Sequence, residues 1–180
     1  MGTIKATNIE PIANNGTVTL GSSGDTFALA SGVTQTIAVN TPHFYVTKSD
    51  SNQAVSHNTS TLITFNNEIR DSDNAFASNI FTVPSGKAGR YFLFACCYVG
   101  SAQDYNYFSI RKNTSTNIMN MTRYWHNAAD QSINFSGIVD AAASDTFGVY
   151  LTQTSGGSKN VESNSAPFTY FGGYKLSWVT

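Results

Sequence analysis

Residues 81–96 read Phe-Thr-Val-Pro-Ser-Gly-Lys-Ala-Gly-Arg-Tyr-Phe-Leu-Phe-Ala-Cys, and this stretch decides the fold. Two apolar runs flank a corner rich in proline and glycine, and the second run, 91–96, is apolar on both faces. Because this run is short, aromatic and bounded by turn residues, it predicts a strand buried on both sides rather than a helix. Such a strand requires a sheet on one side and either a second sheet or another subunit on the other.

The composition excludes several classes of partner. Charged residues make up 12% of the chain, the formal net charge is -1, and no lysine or arginine cluster suggests a nucleic-acid partner. No apolar run approaches the ~18 residues that span a bilayer, so no membrane insertion is expected. Cys96 and Cys97 are adjacent and would point to opposite faces of a strand. They are therefore expected to be small buried hydrophobes rather than a disulfide.

Residues 1–40 carry three copies of an apolar-x-apolar pattern, separated by turn signals rich in glycine and serine. The pattern predicts three short strands, and each buries too few side chains to offset an ordering cost of about 1–2 kcal/mol per residue. We therefore expect a β-rich attachment segment that is stable only against copies of itself or a host protein. A flexible tail is the alternative. The apolar positions are Val18, Leu20, Phe27, Leu29, Ile37 and Val39.

Residues 41–180 predict one antiparallel β domain. No ten-residue segment has a helical period, whereas Phe147, Val149 and Leu151 alternate cleanly with other residues, as in a strand. About eight strands joined by loops of mixed length predict two packed sheets. The predicted strands are 44–47, 62–65, 79–83, 90–98, 107–112, 133–140, 146–153 and 170–177, with a short edge strand at 118–121.

The domain resembles the globular head of the complement q-subcomponent, a family of tumour-necrosis-factor-like jelly rolls. The resemblance is carried by residues 62–66, 81–84 and 89–94, then by 136–139 with 145–151, and by Phe171 and Gly173 in the last strand. It covers about residues 44–178, and residues 85–88 are extra at the proline–glycine corner. It implies a homotrimeric all-β jelly-roll sandwich in which one sheet packs around the threefold axis. Core and trimer contacts are then expected from Tyr91, Phe92, Phe94, Phe147, Val149, Leu151, Phe171 and Tyr174.

The N-terminal segment resembles a different group of proteins. Residues 4–9 and 15–21 are similar to the N-terminal segments of tail appendage proteins of marine bacteriophages. This resemblance implies a virion structural protein whose attachment segment contacts other virion proteins and whose head faces outward from the particle surface. A tail fibre or tip component involved in host adhesion is favoured, with a capsid decoration protein of the same fold or a soluble lectin-like module as alternatives.

Catalytic and metal chemistry have weak support in the sequence, so no enzyme, cofactor or metal is expected. His43, His57 and His126 lack metal-ligand spacing. Asp140 and Asp145 flank a turn and more readily cap it than form a catalytic pair. Residues 71–74 alternate oxygen-bearing side chains that calcium accepts, but a solvated turn is favoured because the glycine and bidentate glutamate of a helix–loop–helix site are missing. A glycan-cleaving appendage is the enzymatic alternative.

A recognition site is predicted where aromatic and amide side chains cluster in expected loops. Tyr105, Tyr124, Trp125 and His126 are the candidate residues for binding a glycan or receptor on a host surface. Flat aromatic faces beside amides suit sugar rings, which offer apolar C–H patches and hydroxyl groups. The alternative is that Tyr124 and Trp125 pack against the flank of the jelly roll or a neighbouring subunit.

Overall fold

A computed structural model describes residues 42–163 and 168–176. The attachment segment predicted at 1–40 lies outside these residues. The described part is all-β and contains no helix long and apolar enough to cross a membrane. Its eleven strands are β1 His43–Thr47, β2 Gln53–Val55, β3 Thr61–Leu62, β4 Asn67–Asp71, β5 Phe76–Ala77, β6 Ile80–Thr82, β7 Gly89–Lys112, β8 Thr116–Ala141, β9 Thr146–Gln153, β10 Lys159–Val161 and β11 Tyr170–Lys175.

The two longest strands, β7 and β8, form one antiparallel hairpin that runs through the whole domain. The first half of β7 pairs with β11, which pairs with β1 and then β4. The second half of β7 pairs with β9, which continues to β3, β6 and β5. The hairpin therefore belongs to two layers, the first built on β11 and β1 and the second on β9.

An irregular stretch in the middle of β7 turns the strand from one layer to the other. The register with β8 shifts on both sides of Ala102, and Ser101 and Asp104 have positive φ values of 49° and 54°. Asn106 is fully buried, and its side-chain amide donates hydrogen bonds to the carbonyls of Gln103 (3.1 Å) and Asp104 (3.3 Å). Such bulges bend a strand and increase its twist, which here directs β7 into the second layer.

The core lies between the two layers and is dominated by aromatic rings. Phe44 of the first layer stacks on Phe81 of the second, with ring centroids 4.4 Å apart. Phe81 also contacts Tyr91 across the layers at 5.8 Å. All three rings are buried, and Phe147, Val149 and Leu151 of β9 are buried with them at the alternate positions expected for a strand with one face on the core.

The two adjacent cysteines are small buried hydrophobes, as predicted, and do not form a disulfide with each other. Both are free thiols, and Cys97 belongs to the core, whereas Cys96 lies on the opposite face of β7 and is 6% exposed. Burial raises the pKa of the Cys96 thiol to about 11 and raises that of Cys97 further. Both side chains therefore act as small hydrophobes at neutral pH.

The strand predictions are confirmed where alternation is clean and wrong where turn-forming residues interrupt it. The predicted strand at 146–153 coincides with β9. The two strands predicted at 90–98 and 107–112 are parts of one continuous strand, β7. Those predicted at 118–121 and 133–140 are likewise parts of β8. Strands β2, β4, β5 and β10 were not predicted, since they are short or carry mostly polar side chains.

Two consecutive glycines allow β11 to lie between β1 and β7. A Cβ at Gly173 would come within 2.5 Å of Leu93 Cδ2 on the core side and 2.9 Å of the Phe92 carbonyl oxygen. A Cβ at Gly172 would come within 2.5 Å of Phe94 Cζ on the outer side. The last strand therefore requires glycine at both positions, because rings and backbone already occupy the space on each face.

We predict that Gly173→Ala lowers the free energy of unfolding by about 1–3 kcal/mol, the usual cost of overpacking. Gly157→Ala is the matched control, since a Cβ there meets nothing within 4 Å, and its stability should change by about 0.5 kcal/mol or less. Urea unfolding at one fixed protein concentration measures both. Equal stability of the two variants would contradict the close approach at Gly173.

Candidate functional site

The outer face of the first layer carries a continuous aromatic surface, formed by Tyr45, Phe92, Phe94, Tyr170 and Tyr174. Because Tyr91, Leu93 and Ala95 point into the core, Phe92 and Phe94 point outward between them. Register pairing places the other three rings on the neighbouring strands β11 and β1. We call these five residues the aromatic surface.

Ring contacts make this surface a connected layer. Phe94 lies 6.2 Å from both Tyr45 and Tyr170, measured between ring centroids, and Phe92 lies 5.5 Å from Tyr174. A depression of about 390 Å³ opens beside Tyr45, Phe94 and Tyr174. All five rings remain partly exposed, so this face keeps apolar area in contact with water that the described residues do not cover.

The residues predicted for core or trimer contacts divide into two groups. Phe92, Phe94 and Tyr174 lie on the aromatic surface. The remaining five are fully buried within the protomer, so they serve the core and cannot contact a neighbouring copy. These are Tyr91, Phe147, Val149, Leu151 and Phe171.

The outer face of the second layer carries a tyrosine cluster, formed by Tyr105 and Tyr107 on β7 and Tyr124 on β8. The exposed fractions are 47%, 43% and 53% in that order. Tyr105 and Tyr107 have nearly parallel rings with centroids 6.0 Å apart. Tyr124 is the cross-strand partner of Tyr105, and its ring is tilted by 51° at 4.9 Å. The nearly parallel rings of Tyr105 and Tyr107 and the tilted ring of Tyr124 therefore form two sides of an exposed corner.

Backbone contacts fix the position of this cluster. The Tyr105 amide donates to Thr154 Oγ1 at 3.1 Å, and the Thr154 amide donates to the Tyr105 carbonyl at 3.0 Å. On the opposite face of the strand, buried Asn106 holds the preceding bulge. The tyrosines are thus displayed by strands, and the prediction that they lie in loops is wrong.

The structure brings together only part of the predicted recognition site. Tyr105 and Tyr124 are in ring contact. Trp125 is half-buried and packs against the core, since neighbouring residues of a strand point to opposite faces. His126 is exposed and follows directly after Trp125, where pairing with β7 is interrupted before Ala129. Tyr107 was missed, although its spacing of two from Tyr105 places both rings on one strand face.

The other polar groups considered for chemistry have structural roles. Asp71 accepts hydrogen bonds from the amides of Phe76 (2.7 Å) and Asp73 (3.3 Å), so it stabilises a turn. Asp145 accepts from the Ala142 amide at 2.6 Å, which confirms its capping role. Within residues 42–163 and 168–176, no three His, Cys, Asp or Glu side chains are grouped to hold a metal ion.

Two ion pairs join the strand ends near this turn. Lys112 lies 2.6 Å from Asp145 and lowers the pKa of that carboxyl group. Asp140 is the cross-strand partner of Arg90, which bonds to it at 2.7 Å and lowers its pKa likewise. The two predicted carboxylates therefore each have a cation, and neither is held as a proton donor.

The fold is that of the tumour-necrosis-factor and complement jelly-roll domains, which confirms this part of the resemblance. Murine APRIL is 13% identical with a TM-score of 0.57, covering 74% of this chain and 98% of that chain. Eiger TNF from S. frugiperda is 12% identical with a TM-score of 0.56, and the match covers 77% of this chain and 94% of that chain. The globular domain of zebrafish complement 1qA protein is 11% identical with a TM-score of 0.51, and the match covers 76% of this chain and 98% of that chain. No known protein family and no curated protein matches the sequence.

We predict that Trp125→Ala lowers the free energy of unfolding by about 2 kcal/mol, because the half-buried indole packs against the core. Tyr124→Ala is the matched control one residue away, and its exposed ring should contribute less than about 0.5 kcal/mol. Thermal unfolding compares the two. If the Trp125→Ala variant has the same melting temperature as the unaltered protein, the indole does not stabilise the core.

Proposed function

We propose that this chain is a homotrimeric, non-enzymatic structural protein of a bacteriophage virion. In this proposal the jelly-roll head faces outward as a tail fibre or tip component, and residues 1–40 attach it to other virion proteins. The jelly-roll fold supports a trimeric binding head in general. The N-terminal resemblance to tail appendages supports the particle role.

The observation that carries the assembly proposal is the aromatic surface. Each additional Å² of apolar area removed from water contributes about 25 cal/mol, so the exposed parts of these rings favour contact with another apolar face. Cys96 is nearly buried on the same face, so its thiol adds little exposed polar surface there. Closed cyclic symmetry lets identical copies cover such a face without open-ended aggregation.

A second feature also favours assembly. Among the described residues, β8 pairs only with β7, which leaves one edge of a 26-residue strand unpaired. That strand carries few charges, namely Arg123, Asp130 and Asp140. Long edges with few charges invite pairing with other chains, and native proteins usually cover them. Neighbouring copies packed on the first layer would protect the part of this edge that runs through that layer, residues 131–141.

The tyrosine cluster favours a second candidate function, a soluble lectin-like binding module of the same fold. Both candidates use the exposed rings for recognition, and they differ in the role of residues 1–40. A capsid decoration protein differs from a tail component only in the position of the chain on the particle.

We predict that the purified protein has three times the protomer mass of 19.4 kDa by light scattering. Phe94→Asp should give a folded monomer, because a carboxylate at the centre of the aromatic surface cannot be buried without a partner. Tyr107→Asp is the matched control on the opposite layer and should remain trimeric. A stable monomer of the unaltered protein would refute the assembly proposal.

We further predict that removing residues 1–40 leaves the head folded, with the circular dichroism of a β protein, but prevents its incorporation into particles. Purified particles assembled with full-length or shortened protein can be compared by immunoblotting. Detection of the shortened protein on particles at the full-length level would rule out an attachment role for this segment.

A further inference from the structure

The tyrosine cluster and the aromatic surface lie on opposite outer faces of the sandwich. Tyr105 and Tyr107 point away from the core on β7 because the alternate residues Asn106 and Phe108 point inward. If the first layer mediates self-association, as the proposed function requires, the cluster stays open to solvent. Three exposed tyrosines connected through the Tyr105 ring are unusual on a free surface, where large apolar side chains are normally scattered singly.

We infer that the tyrosine cluster is a binding site for an uncharged saccharide. The corner of Tyr105, Tyr107 and Tyr124 offers ring faces to the C–H side of a pyranose. Among the described residues, no group forms a hydrogen bond with any of the three phenol hydroxyls, so these hydroxyls are available to sugar hydroxyl groups. Tyrosine provides large, rigid and amphipathic contact area at a low cost in conformational entropy.

The surroundings of the cluster select against charged ligands. The cross-strand neighbours of Tyr107 on this face are Thr122 and Thr152, both with uncharged hydroxyl groups. Arg111, farther along the same face, already stacks on Tyr150 at 4.3 Å and bonds to Asn117 at 3.0 Å. Arg123 is exposed and directly precedes Tyr124, but strand alternation places it on the other face of β8. On the face of the three rings, the described residues therefore place no cation other than Arg111 near the corner to recognise a phosphate, a sulfate or a carboxylate.

The test is calorimetric titration of the full-length protein with a panel of neutral oligosaccharides. The panel contains glucose, galactose, mannose and N-acetylglucosamine oligomers, and heparin serves as the anionic comparison. We expect at least one neutral oligosaccharide to bind. Tyr105→Ala and Tyr107→Ala should each weaken that binding about 10-fold, the level of a strong contact residue.

Two further variants make the result specific. Phe168→Ala is the matched control, since Phe168 is exposed to a similar extent (45%) but lies outside the cluster, and it should bind as tightly as the unaltered protein. Tyr105→Phe keeps the ring and removes the hydroxyl, so it should lose less affinity than Tyr105→Ala if ring stacking is the main contact.

Light scattering of the same samples separates this inference from the proposed assembly. A trimer that binds none of the neutral oligosaccharides, or binds them equally in the tyrosine variants, overturns the saccharide site and leaves the assembly intact. A monomer that binds them through Tyr105 and Tyr107 overturns the assembly and leaves the site intact. If the alanine variants change the mass, the cluster is covered by another copy and the saccharide site is wrong.

Discussion

The packing of Phe94 and Leu93 against the two glycines of β11 is the constraint on which the rest of this structure depends. Gly172 leaves room for the Phe94 ring on the outer face, and Gly173 leaves room for Leu93 on the inner face. The last strand can therefore join β1 to β7 with large side chains on both sides. The aromatic core and the aromatic surface both follow from this one arrangement.

The outer surfaces of the two layers differ in their chemistry. The first layer presents five rings in a connected sheet, with Cys96 nearly buried among them. The second presents a small corner of tyrosines bordered by threonines. A broad ring-lined face suits contact with an identical copy, and a small corner with free hydroxyls suits a small polar ligand.

Much of the fold could be predicted from the sequence because burial on one face produces clean alternation, as in Phe147, Val149 and Leu151 of β9. The continuity of β7 could not be predicted, because the turn-forming residues Ser101 and Asp104 lie inside the strand as part of a bulge. The tyrosine cluster could be predicted only in part, and its role in recognition stays a prediction. Aromatic composition alone does not give the register that pairs Tyr105 with Tyr124 and turns Trp125 toward the core.

The long hairpin has a mechanical consequence. Because β7 and β8 continue through both layers, the tyrosine cluster and the aromatic surface are connected by the backbone of the same two strands, whose pairing is interrupted between the two sites only at the bulge from Val99 to Asp104. A load applied at the cluster would be carried lengthwise by these strands, as shear across their paired amides, and would reach the aromatic surface without crossing a connecting loop.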